Sequence, residues 1–332
     1  MHLTVLSRSS AIYTTRRIVD AARVAGHRVR VLNPLRCEMY LDGKDSRVFC
    51  GGKPVPRTDV CIPRIGQSVQ SYGLAVLDQL TQQGIPLLNT PVAIARSRNK
   101  LRCLQHLSAH GIPVPATVMA NDAKSIAEMV NMVGGCPVLV RTLQGGDRVG
   151  VMVCETVQSM EAALEALLGM GHNLIVQQYV RETKGRDIRA LVVGGRLVAA
   201  VRRVPRPGRL HRTLGAGARF EPARLPASFQ RVAEQTANLV GLEVAAIDML
   251  DLKDGPRVFE VNSSPGIKEI EEVTGVDVAR EVVARAVELA QAKKNFRPLA
   301  ASKPGPRAGA EVRKRAAEKP TRKTAGRKRS AP

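Results

Sequence analysis

The chain has 332 residues, 44% hydrophobic and 24% charged, and its 51 Lys and Arg against 29 Asp and Glu give a net charge of +22. That length exceeds one ordinary domain, so two or three lobes are expected, and the composition is that of a globular protein. The longest charge-free stretch, Cys103 to Asn121, holds two histidines, a glutamine and two prolines, which excludes a membrane span.

The first residues, MHLTVLSRSS, lack the apolar run and cleavage site of a signal peptide, so the cytoplasm is the expected compartment. The six cysteines (37, 50, 61, 103, 136 and 154) are scattered, with no C-x-x-C pair and no histidine at a zinc-like spacing. Small reduced side chains are therefore expected, not disulfides or structural zinc.

In chain order, HLTVLS (2–7) reads as a strand and 11–25 as an amphipathic helix stopped by Gly26. RVRVLNP (28–34) and TDVCIPRIG (58–66) are further strands, 69–83 a helix, and IPLLNT (85–90) another strand. This order predicts a small parallel α/β domain over 1–95. One helix is expected over 91–110, then an extended segment, IPVPATVMA, and a helix near 122–133. PVLVRT (137–142) and VGVMVCE (149–155) are apolar runs flanking a Gly-rich loop. A helix (157–169), the strand NLIVQQYV, a hairpin DIRALVV–GG–RLVAAVRR and a helix (226–239) follow. The strands AAIDML and RVFEVN, joined by a tight turn, and a last helix over 276–292 complete a mainly antiparallel α+β domain, 96–292. Its small lobe spans about 96–176 and its C-terminal lobe about 177–292.

From residue 293 to 332 the chain carries fourteen Lys and Arg against two acids and three large apolar residues. Such a segment cannot bury enough surface to offset its ordering entropy and is expected to be a disordered basic tail. Its clusters suit non-specific contacts with RNA or DNA phosphates, since no aromatics interleave for base stacking. A plain solvated tail is the competing expectation.

Three polar residues stand out. Asp248 lies in AAIDML, and Glu260 and Asn262, two apart and so on one face, lie in VFEVN. If the strands pair across their turn, two carboxylates and an amide oxygen converge in a hard-oxygen setting suited to Mg²⁺, which completes its shell with substrate phosphates.

The run F-E-V-N-S-S-P-G-I-K-E-I-E, with A-A-I-D-M-L before it, resembles the metal-binding end of the ATP-grasp ligases. The likeness extends to the RimK family of α-L-glutamate ligases. VLSR (5–8), DVCIPRIG (59–66), NTPVAIARSRNKL (89–101), and segments at 132–137, 176–179, 187–194 and 273–277 follow that family's order over about residues 1–290. The resemblance implies an ATP-grasp fold behind a pre-ATP-grasp domain. It implies an enzyme that phosphorylates a carboxylate with ATP and lets an amine displace the phosphate, chemistry that rests on positioning and charge neutralisation. By position it implies Asp248, Glu260 and Asn262 as ligands of Mg²⁺ or Mn²⁺, two ions in all. Lys100 and Arg141 match the phosphate-contacting cations and 144–150 the flap over them. Gln178 and Tyr179 match the adenine hinge, Asp187 the ribose-contacting acid, and His211, Arg212 and Thr213 a further nucleotide-contacting stretch. Arg189 and Arg203 are the candidates to steady the acylphosphate.

The departures are specific. Arg141 replaces the family's lysine with a larger planar fork. Gln178 replaces a glutamate, the flap reads Q-G-G-D-R-V-G, and 202–218 carries five arginines between Arg202 and Arg212 without an acid. The expected substrates are ATP, L-glutamate and a protein or peptide acceptor, with a ribosomal protein the family's best-known one; homo-oligomers are common in such enzymes. Two other readings stay open. One is a silent ATP-grasp relative that binds nucleotide, ribosome or nucleic acid, and the other is a ligase of small molecules.

Overall fold

The computed structural model describes residues 1–42, 46–120, 125–142, 151–170, 174–183, 186–204 and 219–295. Met1–Lys293 forms one compact unit.

The N-terminal part runs β1 (His2–Ser7), α1 (Tyr13–Val24), β2 (Arg28–Leu32), β3 (Cys37–Leu41), β4 (Ser46–Cys50), β5 (Lys53–Pro54), β6 (Val60–Arg64) and α2 (Gln70–Gln82). β2, β1 and β6 pair in parallel in that order. The central strand is buried on both faces, its small polar residues Thr4 and Ser7 included. β3, β4 and β5 form a separate antiparallel sheet that the sequence reading did not anticipate. IPLLNT, expected as a strand, makes only two isolated bridges, Leu87 with Cys61 and Asn89 with Leu242.

α3 (Pro91–Arg98) and α4 (Lys100–Ala109) replace the single helix expected over 91–110. Asn99 is extended (φ −80°, ψ 93°), and its side chain caps α4 by accepting from Arg102 N at 3.1 Å. This break makes Lys100 the first residue of α4.

A four-stranded antiparallel sheet follows, from β7 (Thr117–Ala120), β8 (Val138–Thr142), β9 (Val151–Cys154) and β10 (Leu174–Gln178), in the order β7-β10-β8-β9. α5 (Ile126–Met132) and α6 (Val157–Gly169) accompany it, and their Met129, Val130, Met160 and Leu164 share its core. The last sheet comprises β11 (Asp187–Val193), β12 (Arg196–Val204), β13 (Arg219–Pro222), β14 (Val244–Leu252) and β15 (Gly255–Asn262), all antiparallel, in the order β13-β12-β11-β14-β15. α7 (Ala227–Val240) lies between β13 and β14 in sequence, and α8 (Lys268–Thr274, not foreseen) and α9 (Val278–Asn295) end the described chain.

The two faces of this last sheet differ. One is apolar along its length: Ile188, Ala190 and Val192 of β11 and Ala245, Ile247 and Met249 of β14 pack with Phe229, Ala233 and Ala237 of α7. On the other, β11 begins with Asp187 and Arg189 and ends with Leu191 and Val193. Leu191 and Val193 join Leu3, Val5 and Ile62 of the parallel sheet and Val282 and Ala286 of α9 in one core. Half of that face thus holds the protein together, at about 1.5–3 kcal/mol per fully buried Leu, Val or Ile. The other half is charged.

Candidate active site

The charged half-face follows from strand register. Arg189 on β11 pairs with Asp248 on β14, and Asp248 with Glu260 on β15, while Asp187 pairs with Arg203 on β12. Asn262 lies opposite Ala246, one same-face step along β15. A bulge between Asp248 and Met249 adds a residue on β15, so the alignment of both carboxylates is set at that irregularity.

Four of these charges form a connected network, and a fifth pairs with Lys100 beside it. Arg189 donates to both Asp248 oxygens (Nε to Oδ1 at 2.8 Å, Nη2 to Oδ2 at 2.7 Å). Arg203 donates Nη2 to Asp248 Oδ2 at 2.8 Å and Nε to Asp187. Lys100 Nζ lies 3.4 Å from Glu260 Oε2. Asp187, Asp248 and Arg203 are buried. Burial pushes the Asp248 carboxyl up, but Arg189 and Arg203 outweigh it and hold the group down at about 2. Burial depresses both guanidinium pKa values, and the carboxylates more than reverse this, so Arg189 and Arg203 end above the usual arginine value.

Arg141, on β8 opposite Ile175 of β10, is 6% exposed and its Nε has no hydrogen-bond partner among the described residues. Burial lowers its pKa, opposed only by Glu260. A buried guanidinium N–H without a partner is costly unless something occupies it. At the end of β10, Gln178 Oε1 accepts from Arg257 Nη1 at 3.2 Å, and Tyr179 beside it is half-buried. The flap expected at 144–150 and the stretch with His211, Arg212 and Thr213 lie outside the described residues. The structure therefore joins Asp187, Arg203, Asp248 and Arg189 in one bonded network, with the Lys100–Glu260 pair on the neighbouring strand position opposite Asp248.

Sequence reasoning missed the residues that hold this network. Asn89 is buried and spends its whole amide on it. Its Nδ2 donates to Val244 O (2.8 Å) and Ser263 O (2.9 Å), and its Oδ1 accepts from Glu243 N (2.8 Å) and Val244 N (3.0 Å). That ties the entry of β14 to the exit of β15. Asn89 opens the quoted segment NTPVAIARSRNKL, so the signal was present without a role attached. Asn262 Oδ1 accepts from Ser264 N at 2.8 Å, which fixes its orientation.

No group of three or more His, Cys, Asp or Glu among the described residues is placed to hold a metal ion. Two carboxylates and an amide oxygen nevertheless fit an oxygen-preferring ion that brings its remaining ligands with a substrate. The four cations Lys100, Arg141, Arg189 and Arg203 exceed the three acids Asp187, Asp248 and Glu260. This surplus disfavours a bare divalent ion and favours one carried by a polyphosphate.

Residues 1–94 match the model of the RimK PreATP-grasp domain and residues 97–286 that of the RimK-like ATP-grasp domain. "Probable alpha-L-glutamate ligase 1" of Shewanella amazonensis is 42% identical over 284 residues, 86% of this chain and 94% of that protein. "Probable alpha-L-glutamate ligase" of Aeromonas salmonicida is 41% identical over 295 residues, covering 89% and 99%. Among solved structures, the ATP-grasp ligase PsnB complexed with minimal precursor aligns with a TM-score of 0.71 at 21% identity, covering 87% of this chain and 98% of that one. D-alanine--D-alanine ligase from Bacillus anthracis complexed with ATP aligns with a TM-score of 0.60 at 14% identity, covering 89% and 99%. These two likenesses show the fold.

Proposed function

The chain belongs to the RimK-like ATP-grasp family, and on that premise we propose that it is an ATP- and Mg²⁺-dependent ligase joining L-glutamate to a protein or peptide acceptor. The observation that carries this reading is the in-register row Arg189–Asp248–Glu260, with Lys100 against its acidic end and Asn262 beside it. It offers oxygen ligands and phosphate-binding cations on one strand-borne face. The glutamate specificity is supported by the relatives of about 40% identity, and the peptide acceptor by the precursor-bound fold neighbours.

In this reading Asp248, Glu260 and Asn262 would hold Mg²⁺, or Mn²⁺ in its place, which would neutralise phosphate charge. Lys100 and the unsatisfied Arg141 take phosphate oxygens, so the donor that burial leaves without a partner gains one from ATP. Gln178 and Tyr179 meet the adenine at the end of β10. The carboxylate to be activated meets Arg189, whose side chain keeps 18% exposure. Arg203, at 4%, acts instead as a positioning residue that holds Asp248 and Asp187 apart and charged. The γ-phosphoryl passes to the carboxylate oxygen and ADP leaves. The amine of the second substrate then attacks the acyl carbon and inorganic phosphate departs, leaving an amide.

One observation favours a silent relative: both Asp248 oxygens are already engaged by guanidiniums. Incubating the full chain with Mg²⁺-ATP, isotope-labelled L-glutamate and cell extract separates the readings. Label in protein, seen by mass spectrometry, supports the proposal. Label only in small molecules moves the acceptor to a metabolite, and no label favours the silent relative.

A further inference from the structure

The VLSR and IPRIG segments meet in space beyond the Asn262 end of the metal-ligand row, and the roles above leave them unused. Arg64 closes β6 and pairs in register with Ser7 of β1; Arg8 follows. Both strands end here, on the carboxyl side of a parallel sheet, where α/β folds take ligands. A cavity of about 520 Å³ opens at this point, lined by Ser7, Arg8, Ser9, Arg64, Ser68 and Ser264 among others, and no Asp or Glu among the described residues lines it.

The two arginines carry uncompensated charge. Arg8 Nη1 donates to Ser68 Oγ at 3.0 Å and Arg64 Nη2 to Ser264 O at 3.3 Å, and among the described residues neither meets a carboxylate. Burial, and then the nearby Arg98, pull the Arg64 guanidinium down to about 10. Arg98 itself donates to the carbonyls of Ile65 and Gly66, holding the loop after β6 in place. The Ser264 hydroxyl is buried without a partner among the described residues. Cations, a spare hydroxyl and no acid make a pocket for an anion with its own hydrogen-bonding groups.

Ser264 links this pocket to the reaction site, since its N donates to Asn262 Oδ1 at 2.8 Å while its carbonyl accepts from Arg64. The proposed reaction has two carboxylate-bearing substrates. The carboxylate that is phosphorylated must face the ATP side. The carboxylates of the incoming amine substrate are not consumed, and they need fixed cations apart from the phosphates. The cavity's size suits a free amino acid rather than a polypeptide acceptor.

We infer that the Arg8–Arg64 pocket seats the carboxylates of the free amino-acid nucleophile and so selects an acidic amino acid. The identity of the ligand rests on the ligase reading.

The test is calorimetric titration of L-glutamate into the full chain holding Mg²⁺ and a non-hydrolysable ATP analogue, repeated with Arg8→Gln, Arg64→Gln and Arg64→Lys. Inorganic phosphate serves as the competing anion. Loss of a charge-assisted pair should weaken L-glutamate binding about tenfold to a hundredfold in both glutamine variants. Arg64→Lys should recover part of it, with the nucleotide analogue bound as in wild type. Equal L-glutamate affinity in all four proteins, no binding by the wild type, or phosphate competing as well as glutamate would overturn the assignment. Binding that depends on both arginines without ADP release would leave this site standing and remove the ligase reading. Glutamate-stimulated ADP release indifferent to both arginines would do the reverse.

Discussion

Asp248 joins the strand register to the electrostatics of the site. Because its folded pKa lies near 2, below the ordinary carboxylate value of 3.8, it contributes stability that is complete above about pH 4. That contribution is lost as the pH falls toward 2. In metal-free protein, Asp248→Asn should remove this acid-dependent loss between about pH 4 and 2. At pH 7 it should cost about 3 kcal/mol, because the buried Arg203 and the half-buried Arg189 lose a counter-charge. Urea unfolding across that pH range checks both. Arg141 behaves oppositely. Its guanidinium is buried with Nε unpartnered, so Arg141→Met should leave the nucleotide-free protein as stable or more so. The same change should raise the KM for ATP about tenfold or more. Thermal melting and initial rates on the same preparation read the two effects, and a destabilised variant with unchanged KM would refute the phosphate role.

At the scale of elements, the site depends on where strands and helices begin and end. Asn99 ends α3 and starts α4, which puts Lys100 on the first turn, facing Glu260. Asn99→Ala should cost about 1 kcal/mol and weaken ATP binding through Lys100, whereas Asn99→Asp should keep the cap. Asn89 makes four buried hydrogen bonds between the ends of β14 and β15, and Asn89→Ala should cost about 3 kcal/mol in chemical denaturation. Much of this architecture is legible in the sequence, since apolar runs and Gly stops report burial and chain reversal directly. The split at Asn99 is not, because apolar periodicity is common to both helices and only a capping side chain interrupts it. The β3–β5 sheet is also missed: its strands alternate weakly, and only a D-G dipeptide after CEMYL marks the hairpin. At the site, the spacing of Asp248, Glu260 and Asn262 reveals a shared face, and the register confirms the pairing. Two further contacts depend on the register of three strands or on the packing of two sheets, neither of which a local pattern encodes. These are the bond of Arg203 to both Asp187 and Asp248, and the contact of Arg257 with Gln178.

On the scale of the whole molecule, one sheet couples stability to chemistry. Its charged half-face continues directly into the core shared with the N-terminal strands and α9, so the pre-ATP-grasp part is packed against the sheet that carries the site. The Arg8–Arg64 pocket lies where the N-terminal strands end and the loop after β15 begins. Beyond α9, residues 296–332 carry twelve Lys and Arg against two acids, and the disordered, nucleic-acid-contacting tail expected there lies outside the described residues. Removing 296–332 should leave glutamate-dependent turnover within about twofold while lowering the salt needed to elute the protein from RNA or heparin. A truncated chain that elutes as before would assign such binding to the folded part.

The most direct test of the ligase reading is ADP release from Mg²⁺-ATP, with and without L-glutamate and with cell extract as acceptor, in wild type and Glu260→Gln. The account predicts glutamate-stimulated release in the wild type that the substitution reduces by about a hundredfold or more. It would be contradicted by a wild type that binds ATP yet releases no ADP in response to glutamate, or by turnover that Glu260→Gln leaves unchanged.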